Sequence, residues 1–137
     1  MIRLCLLFIS AGIAMTADNI APLPPCLASP NCVSSLAMDA DHRVEPILLR
    51  GSGKDALERL ANIITGMHRS RIIEQRELFL HATFTSLVFR FVDDVHVRVD
   101  EDNQRIDLRS ASRVGYWDLG VNRRRVEEIR KRFEGER

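Results

Sequence analysis

The stretch RSASRVGYWDLGVNRRRVEEI, from Arg109 to Ile129, offers the most chemistry in this chain: five arginines and the single Tyr and Trp. Guanidinium groups recognise carboxylates and phosphates through paired, charge-assisted hydrogen bonds. The pattern also predicts a helix start among them. Asn122 is the expected N-cap, its side-chain oxygen taking an orphan N–H of the first turn. Val121 and Val126 stand at the positions of a hydrophobic staple. Arg123, Arg124 and Arg125 then fall in the first turn, where the positive end of the macrodipole disfavours each cation by roughly 0.3–1 kcal/mol. Something negative should offset that: Asp118 just upstream, a carboxylate on another element, or a bound anion. The residues expected to form such a ligand site are Arg109, Ser112, Arg113, Tyr116, Asp118, Asn122 and Arg123. Tyr116 and Trp117 could instead anchor a protein partner. The structural alternative has the arginines fixing an irregular loop, with Tyr116 in the core.

A second set lies in a stretch of period-two alternation. His81, Thr83, His96, Arg98, Asp107 and Arg109 fall on the polar positions of neighbouring strands. A histidine beside an aspartate can act as acid or base near neutral pH, so a small hydrolase or other acid–base enzyme using His81 or His96 with Asp107 is the alternative reading. Ser86, Ser110 and Ser112 are available hydroxyls, but no nucleophile elbow surrounds them. No H-x-H or H-x-x-x-H spacing suggests a metal, and none is expected. Asp93 and Asp94 are adjacent and in a strand would point to opposite faces, so they cannot readily share a proton.

These residues need a scaffold. Residues 46–137 read as one α+β domain of two layers: an antiparallel meander of about four or five strands, covered on one face by two helices. Ile47-Leu48-Leu49 is a short first strand. Ser52 and Asp55 resemble a capping box, followed by Leu57, Leu60, Ala61, Ile64 and Met67 at helical spacing, with Gly66 as the stop. Ile72-Ile73 begins the alternating region. Leu78, Leu80, Ala82 and Phe84 follow, then Phe89, Phe91, Val95, Val97 and Val99, a polar turn at 100–103, and Ile106 and Leu108. Asp93 falls on the apolar phase, and a β-bulge or tight turn at 92–94 is the expected relief. The segment LRGSGKD at 49–55 is not a phosphate loop, because two fixed positions of that motif fail.

The N-terminus is expected to be a processing segment. Met1-Ile2-Arg3 followed by an apolar run to Met15 has the layout of a secretory signal peptide, residues 1–17, cleaved after Ala14 or Ala17; an uncleaved N-terminal anchor is the alternative. Residues 18–45 read as an irregular lead-in pinned by a disulfide. Cys26 and Cys32, with five residues between them that include a Pro-containing turn, form an even pair once Cys5 is removed. With no His nearby they make a poor zinc site. Processing would remove one base of 20, Arg3, and none of the 19 acids. The balanced chain that results lacks the basic footprint of a nucleic-acid binder. The expected location is the periplasm or cell envelope, peripheral at most to a membrane.

Four segments carry a resemblance to a known family: CLASPNCVSS at 26–35, HRVEPI at 42–47, FRFVDDV at 89–95, and RSASRVGYWDLGVNRRRVEEIR at 109–130. In this order they are similar to the family labelled domain of unknown function 1499, bacterial and plastid-type proteins that are often exported and have no established activity. The resemblance implies a single exported domain. It also implies that Cys26, Cys32, Asp93, Asp94, Arg109, Ser110, Ser112, Arg113, Tyr116, Asp118, Gly120, Asn122 and Arg123 are motif positions. A small polar residue is expected where Trp117 stands. The combined reading is a non-enzymatic exported envelope module, without a cofactor, that binds a protein partner or a small anionic ligand through the loop and helix start at Arg109–Arg125.

Overall fold

The computed structural model describes residues 21–135, so the expected signal segment and both candidate cleavage sites lie outside the described residues. Six strands and two helices follow in the order β1 (Cys32–Ser34), β2 (Ile47–Leu48), α1 (Gly53–Thr65), β3 (Ser70–Arg76), β4 (Phe79–Thr85), β5 (Val92–Asp100), β6 (Arg105–Ser112) and α2 (Val121–Gly135). All strand pairings are antiparallel. The meander β3-β4-β5-β6 is extended at its β6 edge by β1, which pairs with Ser110, and by β2, which pairs with Ile106. The architecture is the expected α+β arrangement, an open sheet with two helices. The additional strand comes from the segment expected to be irregular: β1 pairs with β6, and Val33 and Val44 join the core.

Alternation along the strands sorts the two faces. Val95, Val97 and Val99 of β5 stand opposite Ser110, Leu108 and Ile106 of β6 and point toward the helices. Asp94, His96 and Arg98 stand between them on the other face. Helix α1 lies over β3, β4 and β5, and α2 over β6 and β1. Leu57, Leu60 and Ile64 of α1 meet Val126 and Ile129 of α2 above the sheet in one buried cluster. Each such side chain contributes roughly 1.5–3 kcal/mol on leaving water.

Local capping follows the sequence at α1. Ser52 Oγ accepts from the Asp55 N–H at 3.3 Å, and Gly66 closes the helix by donating to Asn62 O. The remaining positive end of α1 is met inside the chain, since Gly53 N–H donates to Glu101 Oε1 at 3.0 Å. A Cβ at Gly53 would come within 2.5 Å of that oxygen and 2.9 Å of Leu78 and Val99 side-chain carbons. This contact is why a glycine opens the helix there.

Two expectations about β5 are overturned. No bulge relieves Asp93: the register with β4 and β6 runs without a break from Thr85↔Val92 to Asp100↔Arg105, and Asp93 points to the helix side. An arginine of α2 meets it there, so a charge pair replaces the backbone irregularity. Phe89 and Phe91 are exposed and do not extend the apolar face. They belong to the β4–β5 turn, closed by Ser86 N–H to Phe91 O at 2.8 Å and Phe91 N–H to Ser86 Oγ at 2.9 Å. The sheet's irregularity lies instead in β3, where the register with β4 shifts between Ile72 and Glu74. No helix among the described residues is long and apolar enough to cross a membrane.

Candidate functional site

The arginines at the start of α2 find partners within the chain. Arg125 donates to Asp93 Oδ2 at 2.7 Å, to Asn122 Oδ1 at 2.8 Å and to Ser110 Oγ at 3.1 Å, and its guanidinium lies over the Phe84 ring. Arg124 donates to Leu119 O, and Arg123 reaches the carbonyls of Arg43 and Asp41, both at 2.8 Å. Arg113 grips Asp94 with two bonds, Nε to Oδ2 at 2.8 Å and an Nη to Oδ1 at 2.9 Å. This pairing raises the Arg113 pKa.

Asn122 is not the N-cap. The helix begins at Val121, and Asp118 performs the capping, its carboxylate accepting from Gly120 N–H at 2.8 Å and Asn122 N–H at 3.2 Å. Gly120 at φ +75 makes the entry turn that allows this. Asn122 is fully buried instead. Its amide nitrogen donates to Asn31 O, Ser112 Oγ and Asp118 Oδ2, and its oxygen accepts from Ser110 Oγ and Arg125. Asn31, inside the Cys26–Cys32 loop, in turn donates to Gly115 O at 2.6 Å. The disulfide loop, the end of β6 and the start of α2 are thus bonded into one unit.

On the face away from the helices, the two histidines stack with ring centroids 4.4 Å apart. His81 Nε2 meets Asp94 Oδ1 at 2.7 Å, so the carboxylate beside it is Asp94 and not Asp107. Asp107 is fully buried and accepts from Ser35 Oγ, Arg98 and Arg105. Burial alone would raise the Asp94 carboxyl and is the largest single influence, yet the bonds from Arg113 and His81 outweigh it and hold the group at about 2. Burial, then the neighbouring charges of His81 and Arg109, hold His96 down at about 4. The hydroxyls are occupied elsewhere: Ser110 and Ser112 bond Asn122, and Ser86 bonds Phe91 N–H. Among the described residues, no three His, Cys, Asp or Glu side chains are gathered to hold a metal ion.

Three of the seven expected ligand residues share one cavity. Arg109, Ser112 and Arg113 line a space of about 210 Å3 with Leu27, Ser29 and Asn31 of the disulfide loop. Tyr116, Asp118, Asn122 and Arg123 do not line it: Tyr116 is exposed, Asp118 and Asn122 serve the helix start, and Arg123 is bound to carbonyls. Arg109 differs from the other arginines of its stretch. Among the described residues its sole hydrogen bond is a 3.4 Å contact from one terminal nitrogen to Pro25 O, its buried Nε finds no partner there, and burial lowers its pKa.

Residues 22–133 match the family model described as protein of unknown function (DUF1499). The chain belongs to the DUF1499 family. No curated protein matches it. In this DUF1499 chain, the sequence reading missed Asn31 as a cavity-lining residue and Asp94 as the partner of His81. Asn31 gave a weak signal, an amide inside a tight disulfide loop. For Asp94 the available signal was the cross-strand alignment of Thr83 with Asp94, which brings His81 alongside.

Proposed function

We propose that this protein is a non-enzymatic exported module of the cell envelope that holds a small anionic ligand, a carboxylate or phosphate ester, in the cavity between the disulfide loop and the end of β6. The observation that carries the reading is Arg109. It makes no ion pair among the described residues, it is partly desolvated, and it lines the cavity with Arg113. A guanidinium in that condition gains charge-assisted hydrogen bonds when an anion arrives. The Cys26–Cys32 disulfide supports export, since such bonds persist in oxidising compartments. The acid–base alternative has less support, because Asp107 is committed to three partners and the three hydroxyls considered for attack are bonded away from the histidines.

Titration with inorganic phosphate and with acetate, followed by amide chemical shifts, tests the proposal. Saturable shifts at Ser112, Arg113 and Gly115 are expected. Arg109→Gln should weaken the response about ten-fold or more, the equivalent of one charge-assisted bond, with circular dichroism unchanged. A response that survives in Arg109→Gln, or none in the native protein, overturns it.

A further inference from the structure

One end of the sheet carries apolar side chains that the core does not use. The β4–β5 turn exposes Leu87, Val88, Phe89 and Phe91, with the two Phe rings stacked 5.5 Å apart. The β6–α2 loop exposes Val114, Tyr116, Trp117 and Leu119, and Trp117 and Leu119 are 72% and 80% accessible. The two segments leave the sheet side by side, because Arg113 N–H donates to Val92 O at 3.0 Å. Isolated surface apolar residues need no explanation, but contiguous ones mark an interaction surface.

We infer that these two tips insert into the surface of an anionic lipid bilayer. Three observations favour lipid over a protein partner. Leu87, Val88, Phe89, Phe91, Tyr116, Trp117 and Leu119 project from two turns, a shape suited to a deformable surface, while Val114 also lines the anion cavity. The pair Tyr116 and Trp117 has the amphipathic ring chemistry that concentrates at membrane interfaces. The charge around the tips is also one-sided. Arg69, Arg90 and Arg124 are exposed there. The nearby carboxylates are engaged, Asp94 by Arg113 and His81, Asp118 by the α2 start. Cations flanking an apolar tip complement anionic headgroups.

Each tip also contains a residue in the left-handed region. Leu119 adopts φ +55 and Arg90 φ +57, one in each tip. A left-handed position would be less strained with Asn or Gly. A leucine there bears both conformational strain and solvent exposure, and burial in lipid relieves the second.

Trp117 is the only tryptophan of the chain, so its fluorescence reports this tip alone. The purified protein is mixed with vesicles rich in phosphatidylglycerol, or with phosphatidylcholine vesicles. The expected result is a blue shift and quenching by lipid-borne bromine with the anionic vesicles, weakened by high salt. Phe89→Ser/Phe91→Ser should reduce the anionic-vesicle partition about ten-fold or more with native circular dichroism. Unshifted Trp117 emission, or partition unchanged in that variant, overturns the inference. So does loss of a dimer in the variant without any vesicle response, which would make the patch a contact between copies. The anion cavity is read separately, by phosphate titration at Arg109, so either reading can fail without the other.

Discussion

Arg125 of α2 and Asp93 of β5 meet at 2.7 Å with each side chain only 11% exposed, joining helix to sheet by a charge pair set into an otherwise apolar layer. Taking two ions out of water is costly, and their attraction offsets that only when the remaining donors are satisfied. Here Asn122, Ser110 and the Phe84 ring complete the environment of Arg125. Removing one member should therefore be worse than removing both. Arg125→Met or Asp93→Asn alone should lower stability by about 3–5 kcal/mol, and the double variant should recover part of it. Denaturant melts of the three proteins measure this, and a double variant no better than the worse single would oppose it.

Asn122 is the joint between the disulfide loop, β6 and α2. Asn122→Ala removes an amide that serves five partners and leaves buried groups without a bond, each costing about 1–3 kcal/mol. The expected loss is at least one such increment, with exchange protection falling first at Ser112 and Arg125. Hydrogen exchange by mass spectrometry reads it directly.

His96 gives the stability curve an acid limb. Its pKa falls from 6.5 to about 4 on folding, so between those values the unfolded chain binds the extra proton and stability drops as pH falls. The contribution is complete above 6.5 and is lost progressively toward 4. Below that range Asp94, depressed to about 2, loses its own contribution as pH falls from 3.8. His96→Phe should flatten the first limb and leave the second. Melting temperatures across about pH 2–7, taken as the difference from the native protein, should show it.

The Cys26–Cys32 bond closes a loop that also forms one wall of the cavity. Cys26→Ser/Cys32→Ser should cost about 2 kcal/mol. It should also weaken phosphate binding by more than the loss of stability explains, because Asn31 and Ser29 lose their fixed positions. Comparing the titration with the melt at one temperature separates the two effects.

The parts of the fold governed by local periodicity were legible in the sequence. The Leu57, Leu60 and Ile64 spacing gave α1, and the valines at 95, 97 and 99 gave β5 and its faces. Readings that depended on a distant partner were less secure. Asp93 looked like a fault in a strand because its partner, Arg125, lies on an element 32 residues away. Asn122 has the chemistry of an N-cap but sits inside the first turn, and Asp118 upstream accepts from the Gly120 and Asn122 N–H groups instead. Phe89 and Phe91 continued the alternation in type but not in conformation, because the Ser86 turn intervenes. The proposition that the Arg109–Arg125 charge must meet something negative holds inside the chain for Arg113 and Arg125, and through carbonyl oxygens for Arg123 and Arg124. Arg109 is the arginine whose internal partners fall short.

The register slip in β3 bears on how copies of this protein coexist. With β1 and β2 occupying the β6 side, β3 is the outermost strand at the other margin of the described sheet, and an open strand margin invites pairing with a neighbouring molecule. The kink between Ile72 and Glu74, together with the exposed charges of Arg71, Glu74 and Arg76, makes that margin crooked and hydrophilic. Strand-to-strand stacking into fibres is thereby discouraged at this margin.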